Sequence, residues 1–166
     1  MEKIVFAYNK KFAEIFASEK VKIAKYLPEA EIQHIGSTAV PGLGGKGIVD
    51  ILIGIDCWKE LENVLENLRK LGYLHIHPKE QGRVFASKIG PTKLGGIHLH
   101  LVIKNRKPYK ELLAFRDYLR ENKNKAKKYS ALKKQLERKT KGDRKKYNEL
   151  KNVYVVKVTQ KAIKKY

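Results

Sequence analysis

The sequence has little cysteine and no long apolar segment. Cys57 is its one cysteine, which excludes an internal disulfide framework and any zinc site built from several cysteines. No apolar run approaches the roughly 18 residues that a membrane-spanning helix needs, so no membrane partner is predicted. Met1-Glu2-Lys3 does not resemble the start of a signal peptide. We therefore expect a cytoplasmic protein.

Acidic residues are scarce as well. The chain has 17 Asp and Glu against 37 Lys and Arg, which gives a net charge of +20. The excess is uneven, since residues 1–103 carry a net charge of +3 and residues 104–166 carry +17. A basic segment of this kind favours an anionic partner, and RNA is one candidate. Lysine-rich surfaces also occur where they only keep a protein soluble, so charge alone does not choose between these explanations.

The length of 166 residues predicts a single domain over 1–166 with a sizeable core. Hydrophobic periodicity divides it into an α/β core over residues 1–103 and packed helices over residues 104–166. The predicted helices cover about 9–27, 58–71, 109–122, 125–139 and 144–166, and the predicted strands cover 32–35, 48–55, 73–77, 83–89 and 97–103.

The functional hypotheses depend on the stretch between residues 32 and 55. A strand ends at Gly36-Ser37, a glycine-rich loop follows, and a second strand begins at Ile48. This second strand is apolar on both faces apart from Asp50. A carboxylate in a buried strand is costly unless it is paired or binds a metal, which makes Asp50 a candidate catalytic residue. A second acid two residues later would complete a metal-binding pair, but that position holds Leu52.

Two histidines offer further ligands. His98 and His100 fall on one face of the predicted strand 97–103, opposite its apolar residues. We expect both to face one cleft with Asp50 and to bind a divalent metal there. Magnesium, manganese and zinc are the candidates, and imidazole ligands favour manganese or zinc.

Each of these residues also has a structural explanation. Asp50 would be an ordinary ion-pair partner of Lys46, Lys88 or Arg83, and the histidines would be half-exposed strand residues. Ser37 would only cap a short helix. Of the two basic residues on strand 83–89, we favour Arg83 as an anion clamp, because a guanidinium binds phosphate or carboxylate through two parallel hydrogen bonds.

The segment from His34 to Leu52, HIGSTAVPGLGGKGIVDIL, closely resembles the signature of the GrpB-like family of the nucleotidyltransferase superfamily. The resemblance continues in HLHLV and FRDYLREN and covers about residues 8–151. It implies an α+β fold: a mixed, mostly antiparallel sheet of the nucleotidyltransferase type, flanked by helices, with a basic helical C-terminal part.

The resemblance also implies roles for individual residues. Gly36, Ser37 and Thr38 would bind phosphate groups, and Asp50 would be the acid of the family. Lys46 stands where the family also tends to have a lysine. Family members usually show Lys-Pro before the second strand, whereas this chain has a glycine after Lys46.

Three function classes follow. The first is a metal-dependent nucleotidyltransferase that acts on a small molecule or another protein. The second is a protein that binds a nucleotide or another phosphorylated metabolite without catalysis, because the second acid is missing. The third is an RNA-associated protein that uses the basic C-terminal helices.

Overall fold

The computed structural model describes residues 3–92 and 95–165. Met1 and Glu2, on which the signal-peptide argument depends, lie outside the described residues, as does Tyr166 at the end of the last predicted helix. Within the described ranges no helix combines the length and the apolar character needed to cross a membrane. The elements are α1 (Lys11–Tyr26), β1 (Glu31–Ile35), β2 (Val49–Ile55), α2 (Leu61–Lys70), β3 (His75–Glu80), β4 (Arg83–Thr92), β5 (Gly95–Ile103), α3 (Lys107–Glu121), α4 (Lys123–Thr140) and α5 (Arg144–Ile163).

The five strands form one sheet in the order β1-β2-β5-β4-β3. Only the pair β2 and β5 is parallel, and the other three pairs are antiparallel. The sheet is therefore mixed and mostly antiparallel, with helices against it, which confirms the predicted fold class. Strand β2 lies inside the sheet between β1 and β5, and its apolar run buries Ile51, Leu52 and Ile53 completely, as a strand covered on both faces requires.

The two faces of the sheet have different coverings. On one face Ile51, Leu99 and Leu101 pack in a core that includes Phe12 and Ile23 of α1. On the other face Leu52 and Val102 pack with Tyr109 of α3. Because side chains alternate along a strand, Asp50, His98 and His100 share this second face, on the side where the C-terminal helices lie.

The chain before α1 is held by the C-terminal helices. Ile4 and Val5 pack with Leu136 of α4 and Tyr147 of α5, and Phe6 forms an isolated backbone bridge with Gly45. The N-terminal segment thus lies beside the glycine loop that precedes β2.

One predicted strand begins too early. The prediction starts it at Tyr73, but β3 begins at His75. Tyr73 is fully buried in the turn after α2, where its hydroxyl donates a hydrogen bond to Glu19 at 2.8 Å. Its aromatic character reflects this core contact and not membership of the exposed edge strand.

Candidate functional site

The turn after β1 is held close to β2 by its glycine. Gly36 has a φ of +71°, and a Cβ at this position would lie 2.5 Å from Oδ2 of Asp50. A side chain is therefore excluded on two grounds, conformation and space. The short 3₁₀ turn Ser37–Ala39 follows directly. The turn and the acid predicted from sequence are thus neighbours in space.

Thr38 holds this turn in place through its side-chain contacts. Its buried hydroxyl donates a hydrogen bond to the carbonyl of Ile48 at 3.1 Å and lies 3.0 Å from Nε2 of His34. Burial lowers the pKa of His34 to about 4, so its ring is neutral at neutral pH. Because the Thr38 hydroxyl is already engaged, its observed contacts position the turn.

Asp50, His98 and His100 converge on one point. The parallel register of β2 and β5 places Asp50 directly beside His98. Oδ1 of Asp50 lies 3.6 Å from Nδ1 of His98 and 3.2 Å from Nε2 of His100. Burial alone would raise the pKa of Asp50, but the contacts with His100 and His98 outweigh it and hold that pKa below its usual range.

None of the three cations considered as partners of Asp50 forms an ion pair with it among the described residues. Lys88 lies on the opposite face of the sheet, where it forms a salt bridge with the buried Glu19. Lys46 donates to Asn148, and Nη1 of Arg83 lies 3.5 Å from Nδ1 of His100. The predicted ion-pair alternative for Asp50 is therefore wrong. Arg83 is joined to the acid only through His100.

The donor set limits how a metal could bind. Within residues 3–92 and 95–165, no three His, Cys, Asp or Glu side chains are arranged to enclose a metal ion. Both histidines contact the same oxygen of Asp50, and Leu52 supplies no second carboxylate. The residues present do not fit a complete metal cage made by protein alone. A divalent ion at Asp50 would need most of its oxygen ligands from outside the protein, and phosphate oxygens would suit magnesium or manganese.

The sequence prediction missed a lysine at the centre of the site. Lys133 of α4 is only 1% exposed, and its ammonium donates hydrogen bonds to Oγ of Ser37 at 3.0 Å and to the carbonyl of Gly44. It also lies 4.7 Å from the centre of the Tyr129 ring. Lys133 falls at helical spacing between the buried residues Tyr129 and Leu136, and this position on an apolar stripe was the signal available in the sequence.

Two more lysines, Lys46 and Lys151, line the same cavity as Lys133. Burial lowers the pKa of Lys133 to about 7, and the nearby charge of Lys151 adds to this effect. Burial and Lys151 likewise lower the pKa of Lys46 to about 8, while burial lowers that of Lys151 itself. These lysines share a cavity of about 120 Å³, whose lining residues are Ser37, Thr38, Gly45, Lys46, Ile48, Asp50, His98, Lys133, Tyr147 and Lys151.

The GrpB protein family matches residues 3–161 of the chain. This chain is a member of the GrpB family. The glutamate-rich protein GrpB of Alkalihalophilus pseudofirmus is 33% identical over 160 residues, which cover 93% of this chain and 92% of that protein. The UPF0157 protein YqkA of Bacillus subtilis is 36% identical over 138 residues, but the match spans only 39% of YqkA. The resemblance seen in the sequence is thereby confirmed.

Solved structures show the same relationship. The GrpB protein of Enterococcus faecalis superposes with a TM-score of 0.84 at 31% identity, covering 98% of this chain and 99% of that one. The Cid1 poly(U) polymerase superposes with a TM-score of 0.56 at 14% identity, covering 83% of this chain and 45% of that one. For the polymerase core of TRAMP, an RNA surveillance complex, the values are 0.51 and 14%, with 78% and 41% covered. The two polymerases establish that this GrpB-family chain has a nucleotidyltransferase-like fold, and it spans less than half of either.

Proposed function

We propose that this protein binds the phosphate groups of a nucleoside triphosphate at the Gly36-Ser37 turn. The observation that carries this proposal is Lys133, which is a buried cation without a carboxylate partner among the described residues. A buried charge normally has a counter-charge, because removing it from water costs several kcal/mol. A bound phosphate supplies the missing anion beside Lys133 and Ser37.

The surroundings of Lys133 support an anion of several charges. Lys46 and Lys151 line the same cavity, and Asp50 is the one acid among the described residues that line it. With a volume of about 120 Å³ the cavity is smaller than the roughly 300 Å³ and more that a whole ligand usually occupies. The phosphate end of the nucleotide therefore enters the cavity, and the nucleoside lies outside it.

Asp50 is the residue that holds a divalent ion in this proposal. Magnesium characteristically binds one or two carboxylates together with substrate phosphates, which matches a site with one acid. His98 and His100 contact the carboxylate and fix its orientation, as outer partners of metal ligands do. When bound there, a divalent ion neutralises charge on the phosphates and favours nucleotidyl transfer.

RNA is a second candidate partner. The observation that favours it is the net charge of +17 over residues 104–166. The structural relatives Cid1 and TRAMP are described as a poly(U) polymerase and as part of an RNA surveillance complex.

Calorimetric titration with the four ribonucleoside triphosphates tests the first proposal. Lys133→Met removes the cation while keeping a long apolar side chain, and Lys139→Met is the matched control, because Lys139 is exposed on the same helix. We expect the Lys133 variant to lose at least about tenfold in affinity, as removal of one charged hydrogen bond predicts, and the control to bind like the unchanged protein. Equal affinity in all three proteins contradicts the proposal.

A second assay separates transfer from binding. Pyrophosphate release is followed with magnesium or manganese present, in the intact protein and in Asp50→Asn. Release that depends on both metal and Asp50 identifies a nucleotidyltransferase. Water and the protein itself are the acceptors present in this assay, and tight nucleotide binding without release shows that neither of them accepts the nucleotidyl group, as expected of a binding protein that retains the fold.

A further inference from the structure

We call the cavity of about 120 Å³ beside Ser37 and Lys133 the phosphate cavity. A second concave surface lies near it but on a different side of α4. It is a groove of about 640 Å³ between α4, the end of α3 and the loop Val40–Leu43. Its apolar floor consists of Val40, Leu43 and Leu119, which are buried, and of Pro41, Ala126 and Ala131, which are exposed or half-buried. Consecutive residues of α4 serve the two surfaces, since Lys133 lines the phosphate cavity and Lys134 lines this groove.

The rim of the groove is entirely basic. None of the described residues that line it is acidic, and the five charged ones are exposed: Arg120, Lys123, Lys127, Lys134 and Arg138. Arg120 is partly engaged, because its Nε donates to the carbonyl of Ala39 at 2.9 Å and its Nη1 lies 3.9 Å from Asp117. The other four form no ion pair with an acid among the described residues. The groove therefore presents a set of cations whose charges the protein itself leaves unbalanced.

The four cations of α4 form a line. With a rise of 1.5 Å per residue, Lys123 and Lys127 are about 6 Å apart along the helix axis, as are Lys134 and Arg138. The whole line is roughly 22 Å long. Ser130 lines the groove in the gap between the two pairs. An extended polyanion with regularly spaced charges matches this arrangement better than a single small anion does.

We propose that this groove binds single-stranded RNA. The cations neutralise successive phosphates, and the apolar floor contacts base or ribose faces, which a duplex keeps stacked inside. The Ser130 hydroxyl is placed to exchange a hydrogen bond with a ribose 2′-hydroxyl, the group that distinguishes RNA from DNA. Within the part of the chain that the structure describes, no aromatic side chain lines the groove, so binding depends on the backbone and is insensitive to sequence. This inference deepens the RNA candidate of the proposed function and is independent of nucleotide binding at Ser37.

Fluorescence anisotropy with a labelled single-stranded oligoribonucleotide, measured over a range of salt concentrations, tests the proposal. The test variant combines Lys127→Gln with Lys134→Gln. The control combines Lys145→Gln with Lys157→Gln, which removes the same charge from exposed positions on α5. For a single strand each phosphate contact contributes about 0.7 to the slope of log K against log salt. We expect the groove variant to lose about 1.4 from that slope and roughly tenfold in affinity at low salt, and the control to lose much less.

Four results would overturn the inference. If the control pair weakens binding as much as the groove pair, RNA responds to the total positive charge of the protein and does not bind in the groove. If an oligodeoxyribonucleotide of the same sequence binds as tightly, or polyglutamate displaces the RNA at equal charge concentration, the occupant is not RNA. If the intact protein does not bind RNA at low salt, the RNA candidate fails altogether. Nucleotide titration of the same variants keeps these outcomes separate from the first proposal, because the groove variant retains Lys133 and Ser37.

Discussion

Replacing Lys133 by methionine should weaken phosphate binding and stabilise the unliganded protein. Most losses of a functional side chain do not increase stability, so this combination is diagnostic. The pKa of Lys133 falls from 10.5 to about 7 on folding, which corresponds to roughly 5 kcal/mol of penalty on the charged form. Methionine carries no such penalty. The lost hydrogen bonds to Ser37 and Gly44, at about 1.5 kcal/mol each, offset roughly 3 kcal/mol of this gain and leave a small net stabilisation.

The pH dependence of unfolding shows in which direction the ionisation of Lys133 changes the stability of the protein. An unfolded lysine keeps its proton up to about pH 10.5, whereas folded Lys133 releases it near pH 7. Between these values the unfolded state binds more protons, so stability of the intact protein rises with pH, by up to about 1.4 kcal/mol per pH unit. Below the folded pKa this contribution is constant. Lys46 adds a similar rise from about pH 8, so urea unfolding is compared in Lys133→Met, Lys46→Met and the intact protein.

Ligand binding should reverse the lowering of the Lys133 pKa. A phosphate beside Lys133 favours the charged amine and raises its pKa again, so nucleotide binding above about pH 7 takes up a proton. Calorimetry in two buffers of different ionisation enthalpy counts that proton, and Lys133→Met should abolish most of the uptake. Other charged or titratable groups line the same cavity, namely Lys46, Lys151, Asp50, His98 and Tyr147. If the variant is several kcal/mol less stable and still binds nucleotide, Lys133 is a structural ammonium and the reasoning is refuted.

Three further predictions concern single side chains. Ser37→Ala should weaken nucleotide binding and cost about 1 kcal/mol in urea unfolding, because the hydroxyl accepts a hydrogen bond from Lys133 at 3.0 Å; unchanged nucleotide affinity would leave Ser37 a structural role only. Asp50→Asn should keep metal-free nucleotide binding and lose any gain on adding manganese, and loss of metal-free binding would instead mean that Asp50 holds the turn. Glu19→Gln should lower stability by roughly 3 kcal/mol, since it leaves Lys88 without its buried partner; Glu14→Gln, an exposed change on the same helix, is the control for this unfolding measurement.

Strand periodicity predicted the part of the site that lies on the sheet. The parity of IHLHLVI places His98 and His100 on one face, and the acid in the apolar run of β2 identified Asp50. What periodicity could not provide was the pairing of β2 with β5, since residues 50 and 98 are far apart in the chain. That pairing comes from the structure, whose parallel register places Asp50 beside His98.

The helical part of the site was not predicted, for a physical reason. Lys133 and Ser37 are 96 residues apart, and α4 has so many lysines that composition cannot distinguish a buried one. Only the phase of the helix does so, because Lys133 lies on the stripe that includes Tyr129 and Leu136. For Lys88 the sequence suggested a place near the site that the structure does not give it. It was considered as a partner for Asp50, but its buried partner Glu19 lies on α1, across the other face of the sheet.

Leu52 explains why this site carries few acids and many lysines. A second carboxylate would stand at this position, but Leu52 is completely buried and packs with Ile35, Val102 and Tyr109, so an acid there would be an unpaired charge in the core. A site with two acids repels phosphates until metal ions neutralise it. A cavity with one acid and three lysines attracts phosphates directly. Bound phosphates would then complete the oxygen shell of a divalent ion, which Asp50 alone cannot provide. Nucleotide binding should therefore precede metal binding in this protein, and the metal affinity should depend on the nucleotide.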